Sequence, residues 1–283
     1  MFKIELLMPY EEEEDTMNTS VREKSLLTNN VENDDRISRE EVDDVGCTLQ
    51  QLHEDGDSME VDTVDIRLKT PFRAIIAGPS ECGKTTFVFN ILRDQYNLVD
   101  VPTNNVIYFY NQWQSGFTMM HQENRVSEWV NAMPTIDMLK EKTEAYKDRE
   151  GSIVVIDDFM QQINGDILDL FTILCHSHRI SVFLLTQNVF PPNPSFRTIS
   201  LNATYIVIFK NPRDASQIVH FAQQFAPGNS RWVVDAYHAC TRAAYSYIMF
   251  NMHQTTDARL RVFSHYLPHE RPVVVWMDKD ESI

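Results

Sequence analysis

The sequence predicts an α/β fold in which helices cover both faces of a parallel sheet. Three observations support this prediction: apolar runs recur along the chain, polar and helix-prone stretches separate them, and a glycine-rich turn follows the first run. Strands buried on both faces of a sheet are almost continuously apolar, unlike the alternating strands of a sheet with one solvated face. The runs lie at residues 74–77, 104–113, 151–160, 180–188 and 203–211.

The remaining elements are predicted from shorter patterns. Between the second and third runs, a polar, helix-prone stretch extends from Val126 to Arg149 and is interrupted at Pro134. Beyond the fifth run, two apolar segments are predicted as strands that either extend the same sheet or form a flap. The later helices are predicted at 214–227 and 230–240, and the later strands at 245–253 and 272–277.

The distribution of charge predicts a tail that precedes the folded part. The net charge of the 283-residue chain is −16, but residues 1–65 hold 20 acidic and 5 basic residues, whereas the other residues hold 21 and 20. A segment this polar and self-repelling cannot bury a core. We therefore predict an acidic, largely disordered tail over residues 1–68 and one folded domain over 69–283, whose C-terminal helices and strands begin at about residue 214.

The glycine-rich turn predicts a nucleotide site. Residues 78–85 fit the pattern G-x-x-x-x-G-K-[ST], and the apolar positions that follow recur on one face of a helix. In such a loop, backbone N–H groups and the helix N-terminus face phosphate oxygens. Lys84 is expected to reach the β and γ phosphates, and Thr85 to give its hydroxyl to Mg²⁺. The predicted nucleotide-binding residues are Gly78, Pro79, Ser80, Glu81, Cys82, Gly83, Lys84, Thr85 and Thr86.

Two adjacent carboxylates follow the third apolar run. Asp157 and Asp158 end the segment IVVIDD at the C-terminal tip of a predicted buried strand, where ligands of open parallel sheets bind. Asp157 is expected to hold the Mg²⁺ shell with Thr85, and Asp158 to accept a proton from an attacking water. An Asp-Asp pair alone also begins turns or caps helices, but the phosphate loop upstream favours the catalytic interpretation.

Further polar residues complete the predicted site. Gln187 ends the fourth apolar run, where its amide can contact water and the γ phosphate or, alternatively, bond only to the backbone. Phosphoryl transfer also gains from a cation that a neighbouring subunit supplies. The candidates are Arg179, Arg197 and Arg213, with Arg179 preferred because it directly precedes the fourth run. Exposed arginines that serve only as surface charge are the alternative.

Cysteine usage and hydropathy indicate the compartment. The four cysteines lie far apart, which suits a reducing environment better than a disulfide framework. No apolar run reaches the roughly 18 residues of a membrane span, and the N-terminus lacks the basic start of a signal peptide. We therefore expect a soluble, intracellular protein that does not associate with membranes.

Four segments, in this order, resemble those of viral genome-packaging ATPases of the FtsK/HerA superfamily: GPSECGKTT, IVVIDD, SHRISVFLLTQNVF and RTISLNATYIVIFKNPRDASQI. The sequence is most similar to the poxvirus-type ATPases carried by adintoviruses and by Polinton (Maverick) elements. The resemblance covers residues 70–255, and residues 177–213 are its most specific part.

This resemblance implies a RecA-like ATPase that forms a ring of five or six subunits and pumps double-stranded DNA into a preformed capsid. Portal or vertex proteins of the capsid would be its partners, and the virus assembly site in the host nucleus or cytoplasm, or the virion itself, its location. Asp158 falls where the superfamily usually has glutamate, which is a departure from the pattern. The residues that match by motif are Lys84, Thr85, Asp157, Gln187 and Arg179.

Other nucleotide-binding classes are separated by their motifs. The N/T-K-x-D motif of GTPases and the L-S-G-G-Q motif of ABC transport ATPases are missing from the sequence. A small-molecule kinase shares the loop, although adjacent carboxylates and a strand-end glutamine favour water as the acceptor. A DNA helicase or remodelling ATPase of a mobile element shares every catalytic part. A nucleotide-gated scaffold that hardly hydrolyses ATP is the non-enzymatic alternative.

The near-neutral charge of residues 66–283 is unusual for a DNA-binding protein, since DNA is normally bound by a basic surface. A ring would resolve this difference, because a few basic residues repeated around a pore concentrate positive charge there. The candidates for such a lining are Lys210, Arg213, Arg231 and Arg242.

Overall fold

Ten strands form a single sheet in the computed structural model, which describes residues 4–7, 65–159, 162–191, 193–213, 216–270 and 273–278. The strands are β1 (Ile4–Leu7), β2 (Arg73–Ala77), β3 (Val106–Tyr110), β4 (Glu128–Val130), β5 (Ser152–Asp157), β6 (Ile180–Thr186), β7 (Tyr205–Phe209), β8 (Tyr247–Asn251), β9 (Val262–Ser264) and β10 (Val273–Trp276).

The described helices connect these strands on both faces of the sheet. They are α1 (Lys84–Arg93), α2 (Gln95–Leu98), α3 (Phe117–Gln122), α4 (Ile136–Thr143), α5 (Gly165–Asp169), α6 (Cys175–Ser177), α7 (Pro194–Leu201), α8 (Ser216–Phe225) and α9 (Arg231–Cys240). A π-helical segment, Leu170–Leu174, joins α5 to α6, so that residues 165–177 form one irregular helix. None of the helices in the described part of the chain is both long and apolar enough to cross a membrane.

The strand order is β1-β10-β9-β8-β7-β2-β6-β5-β3-β4. The strands from β7 to β4 are parallel, and β6 lies between β2, which leads into the glycine-rich loop, and β5, which ends at Asp157. The carboxyl ends of these strands therefore meet on one side, which we call the loop end of the sheet. The opposite side, where Arg73, Ser152 and Ile180 begin their strands, is the far end.

Side chains that alternate along the central strands build a core on each face. Ile75, Ile156 and Leu184 belong to the core beneath α7, α8 and α9, whereas Ile76, Val155 and Leu185 belong to the core beneath α1. Because both faces are buried, the strands have no polar face, which explains their continuous apolar runs. The predicted P-loop α/β fold with a RecA-like parallel sheet is confirmed.

The C-terminal strands extend the same sheet, so the predicted alternative of a separate flap is wrong. β8 pairs antiparallel with β7, β9 with β8, and β10 with β9. The N-terminal residue of β8, Tyr247, lies opposite Phe209, which ends β7. This reversal places the turn before β8 at the loop end, beside the glycine-rich loop.

The helix-prone stretch from Val126 to Arg149 is helical only in part. Glu128–Val130 is the edge strand β4, which pairs parallel with β3. Trp129 packs there on Tyr108, with ring centroids 4.8 Å apart, and this tertiary contact outweighs the local preference for helix. The helix begins only after Thr135, whose side chain accepts a hydrogen bond from the Met138 amide.

The acidic tail predicted over residues 1–68 lies outside the described residues except at its two ends. At its start, Ile4–Leu7 pairs parallel with β10 at the edge of the sheet. At its end, Ile66 and Leu68 are buried in the core beneath α1, so packed structure begins before the predicted boundary at residue 69. The predicted disorder of the intervening segment stays a prediction.

Candidate active site

The glycine-rich loop connects β2 to α1 at the loop end of the sheet. Its first amide, at Gly78, donates to the carbonyl of Thr186 at 3.1 Å and so ties the loop to the end of β6. A Cβ at Gly78 would lie 2.7 Å from both Cys82 Sγ and Phe209 Cβ, which leaves no room for a side chain. Gly83 has a φ of 104°, a left-handed conformation that glycine adopts without strain. The two motif glycines therefore serve different needs, space and backbone conformation.

Lys84 begins α1 and closes over the loop. Its Nζ donates to the carbonyl oxygens of Gly78 at 2.7 Å and Pro79 at 2.8 Å. The first N–H groups of an α-helix have no acceptor within the helix, and α1 begins at Lys84 itself. The loop thus combines a positive charge with a helix N-terminus, which is the arrangement that binds phosphate.

Cys82 lies inside the loop rather than toward the cleft. Its half-buried sulfur faces Gly78, and burial raises the pKa of this thiol despite the nearby charge of Lys84. A thiol with a raised pKa is a poor nucleophile and reacts slowly with oxidants. Cys82 is therefore a packing residue beneath the loop.

Asp157 ends β5 and is 5% exposed. Its Oδ2 accepts hydrogen bonds from Thr85 Oγ1 at 3.1 Å and from the Tyr108 hydroxyl at 2.8 Å. Burial raises the pKa of this carboxyl group, and the bonds from Tyr108 and Thr85 and the charge of Lys84 act in the opposite direction. A hydroxyl and a carboxylate side by side are the hard oxygen ligands that suit Mg²⁺, so the donor set fits the predicted ion.

Tyr108 also contacts the Asp157 carboxylate and was not predicted from the sequence. Its ring is fully buried in β3 and packs against Phe117 and Trp129. Burial, followed by the charge of Asp157, raises the pKa of Tyr108 well above its ordinary value, so the hydroxyl stays protonated and donates. A tyrosine in the middle of an apolar strand carries no signal that separates this role from packing.

Asp158 and Gln187 lie at the same end of the sheet, in exposed positions. Asp158 has a φ of 67°, so the chain turns sharply after β5, and Gln187 directly follows β6. Both residues line a cleft of about 960 Å³ that Lys84, Thr85 and Asp157 also line. The structure therefore brings together five of the predicted site residues that are distant in sequence.

Two further walls of the cleft were not predicted. On the side of β3, residues 112–116 line it, including the partly exposed Trp113; on the side of β8, Tyr245 and His269 do. The ring of Tyr245 lies against the loop, since a Cβ at Gly83 would be 3.7 Å from its Cδ1. The polar segment NQWQSG after β3 could have predicted the first wall. The second wall could not be predicted in this way, because its position depends on how the C-terminal strands pair.

The three candidate arginines lie outside the cleft: the described residues that line it include no arginine. Arg179 directly precedes β6 and is exposed at the far end of the sheet. Arg197 is exposed on α7, and Arg213 is exposed beyond the end of β7, at the loop end. The choice among them stays a prediction.

The parallel sheet, the phosphate loop and the carboxylate at the end of β5 define a P-loop NTPase. The model of the family described as Poxvirus A32 protein matches residues 63–208, which is just over half of the chain. The chain belongs to this family. The resemblance inferred from the four sequence segments is confirmed.

Solved structures show a more distant likeness. The genome packaging NTPase B204 from Sulfolobus turreted icosahedral virus 2, in complex with sulfate, is 13% identical over 65% of this chain and 93% of that chain, with a TM-score of 0.46. The cytoplasmic domain of the Thermomonospora curvata type VII secretion ATPase EccC is 11% identical over 70% and 26%, with a TM-score of 0.43. These scores are too low to carry a functional argument. Among curated proteins, none matches this sequence.

Proposed function

We propose that this protein is a Mg²⁺-dependent ATPase that translocates double-stranded DNA during the packaging of a viral genome. The observation that carries the proposal is the convergence of Lys84, Thr85, Asp157, Asp158 and Gln187 on one cleft in a member of the Poxvirus A32 family. These side chains would supply a phosphate-binding charge, a Mg²⁺ site, a base and a group that orients water, which are requirements of phosphoryl transfer to water.

The loop would bind the triphosphate. Phosphate oxygens would replace the carbonyls of Gly78 and Pro79 as acceptors for Lys84 Nζ, because a charged acceptor makes the stronger hydrogen bond with an ammonium group. Thr85 Oγ1 and the Asp157 carboxylate would hold Mg²⁺. When bound, this ion neutralises charge on the β and γ phosphates.

Hydrolysis requires a base and a group that orients water. Asp158, exposed in the cleft next to Asp157, would accept the proton of the attacking water as the new bond to the γ phosphorus forms and the bond to the β–γ bridging oxygen breaks. ADP leaves with that oxygen. Gln187, at the end of the neighbouring β6, would hold the water in line through its amide.

The positions of Asp157 and Tyr245 in the cleft suggest how the nucleotide would be oriented. Asp157 lies on the β5 side of the loop, where the γ phosphate would bind. Tyr245 lies on the β8 side, against Gly83, and this residue is 69% exposed. The nucleoside would extend toward Tyr245, because an exposed aromatic face is a stacking surface for a base.

The position of Arg179 supports a ring. Arg179 lies at the far end of the sheet, so the full length of β6 separates it from the phosphate loop of its own chain. A cation there can act on ATP only in the cleft of a neighbouring subunit. We therefore propose a homo-oligomeric ring of five or six subunits around DNA, docked on portal or vertex proteins of a capsid.

Phosphate release measured with and without linear duplex DNA tests the ATPase motor. We expect DNA to raise turnover several-fold and Lys84→Ala to abolish tight ATP binding, because the loop then lacks its charge. Lys140→Ala, an exposed lysine on α4 outside the cleft, is the matched control and should behave as the wild-type protein does.

The remaining outcomes separate the alternatives. Transfer of phosphate to a small molecule would identify a kinase, and ATP binding without turnover would identify a nucleotide-gated scaffold; either result would overturn the motor. If duplex DNA becomes resistant to nuclease when capsids and ATP are added to the protein, the result supports packaging. ATP-driven strand separation without such protection would instead identify a helicase.

A further inference from the structure

One oxygen of Asp157 receives two hydrogen bonds from different elements. Oδ2 accepts from Thr85 at the start of α1 and from Tyr108 in β3. Tyr108 lies opposite Val155, and Tyr110 lies opposite Asp157, so Tyr108 and Asp157 are diagonal neighbours on one face of the sheet. Aromatic side chains are long enough to reach a diagonal neighbour. The bond is therefore a consequence of the register between β3 and β5.

The hydroxyl of Tyr108 is not needed to fill space. The ring already packs against Phe117 and Trp129, with centroids 5.1 and 4.8 Å away, and phenylalanine would make the same ring contacts. A buried hydroxyl has a cost in free energy unless it is hydrogen-bonded. Asp157 is the acceptor that satisfies it here, so the polar atom is explained by the carboxylate and not by the core.

We propose that Tyr108 is a positioning residue for Mg²⁺, whose hydroxyl holds the Asp157 carboxylate in the orientation that the ion requires. This inference rests on the proposed function and deepens it. With Oδ2 held by Thr85 and Tyr108, the other oxygen, Oδ1, would be available to the ion or to its water shell.

The Asp157 side chain needs a hydrogen-bond donor of this kind because its own torsion does not fix the carboxylate. The terminal torsion of an aspartate is broad, with no steep well to fix the carboxylate plane. The hydrogen bond from Thr85 alone would orient the carboxylate poorly, because the Thr85 hydroxyl would also coordinate the ion. Groups that orient a metal ligand in this way typically change metal affinity by about 10-fold to 100-fold when they are removed.

The test measures how strongly Mg²⁺ improves nucleotide binding. Affinity for a fluorescent derivative of the slowly hydrolysed analogue AMPPNP is titrated in EDTA and in Mg²⁺, and the ratio of the two dissociation constants is the magnesium factor. We expect Tyr108→Phe to leave the dissociation constant in EDTA unchanged and to reduce the magnesium factor by about 10-fold. A purely structural role would change both dissociation constants together.

Tyr205→Phe is the matched control. Tyr205 is also fully buried in the sheet and its hydroxyl is hydrogen-bonded, accepting from the Lys69 amide at 3.0 Å, but it lies at the far end. It should lose similar stability in a thermal melt and keep the full magnesium factor. Because both variants retain their rings, both are expected to fold.

A double variant keeps the interpretation specific. In an Asp157→Asn background, Tyr108→Phe should have no further effect on the magnesium factor, since the hydroxyl acts through that carboxylate. A further loss there would overturn the proposal, as would a full magnesium factor in Tyr108→Phe alone. If nucleotide affinity of the wild-type protein does not depend on Mg²⁺, the proposed function itself fails and the positioning role falls with it.

Discussion

At the scale of single residues, the two adjacent aspartates have opposite environments. Asp157 is 5% exposed and hydrogen-bonded by two hydroxyls, whereas Asp158 is exposed and its backbone is left-handed. A carboxylate in a fixed, buried position suits a metal shell, and one in contact with solvent suits proton transfer to and from water. The different roles proposed for them follow from this difference.

Asp158→Asn tests the division of roles. We expect ATP binding within about 2-fold of wild type and hydrolysis slower by 10²-fold to 10⁴-fold, the usual contribution of a general base. Nucleotide titration and phosphate release measure the two effects separately. Asp137→Asn, an exposed aspartate on α4, is the control. Normal hydrolysis by Asp158→Asn would mean that another group is the base.

At the scale of secondary-structure elements, β6 lies between the phosphate loop at one end of the sheet and the predicted trans-acting arginine at the other. A ring that places the far end of one subunit against the loop end of the next would bring the arginine of one chain to the nucleotide of another.

Mixed rings test this arrangement. Arg179→Ala alone should lower hydrolysis by at least about 10³-fold, the lower range for an arginine supplied in trans, and Asp158→Asn alone should also be inactive. Mixed together they should regain part of the activity, because some interfaces pair an intact cleft with an intact arginine. If mixing restores no activity, Arg179 is not the arginine that acts in trans, and Arg197 and Arg213 become the candidates.

At the scale of the whole molecule, charge is placed unevenly. Nearly all of the net charge of −16 lies in residues 1–65. Lys210 and Arg242 lie together at the loop end, where Lys210 Nζ donates to the Arg242 carbonyl. Arg213 follows Lys210 closely in the chain, whereas Arg231 begins α9 and its Nε lies 3.8 Å from Asp235 Oδ2. Three of the four predicted pore cations thus gather at one end of the sheet.

Salt dependence tests this surface. We expect DNA-stimulated turnover to fall steeply as salt is raised, because phosphate contacts release counterions, while basal turnover changes little. In the double variant Lys210→Gln, Arg242→Gln, the logarithmic salt slope should become shallower by up to about 2, nearly one unit for each lost phosphate contact. An equal salt response of basal and DNA-stimulated turnover would argue against a surface that contacts phosphates.

Elements whose patterns are local were predictable from the sequence. Five of the six strands in the parallel part of the sheet, β2, β3, β5, β6 and β7, were predictable, because a strand buried on both faces is apolar at nearly every position. β4 was not, since the three residues of Glu128–Val130 are too few to show a periodicity, and their strand is formed by pairing with β3 and by the packing of Trp129 on Tyr108. The pairing of β8 with β7 does not follow from the sequence, because antiparallel extension of the sheet and a separate flap share one pattern.

The phosphate loop and the carboxylates of IVVIDD could be recognised in the sequence, since each motif has its residues at adjacent positions of one chain segment. The distant residues that join them could be identified only in the folded protein. Tyr108 reaches Asp157 through the register of β3 and β5, and Tyr245 reaches Gly83 through the reversal of β8. Strand register is set by packing over the whole sheet, so a contact that depends on register leaves no local trace in the sequence.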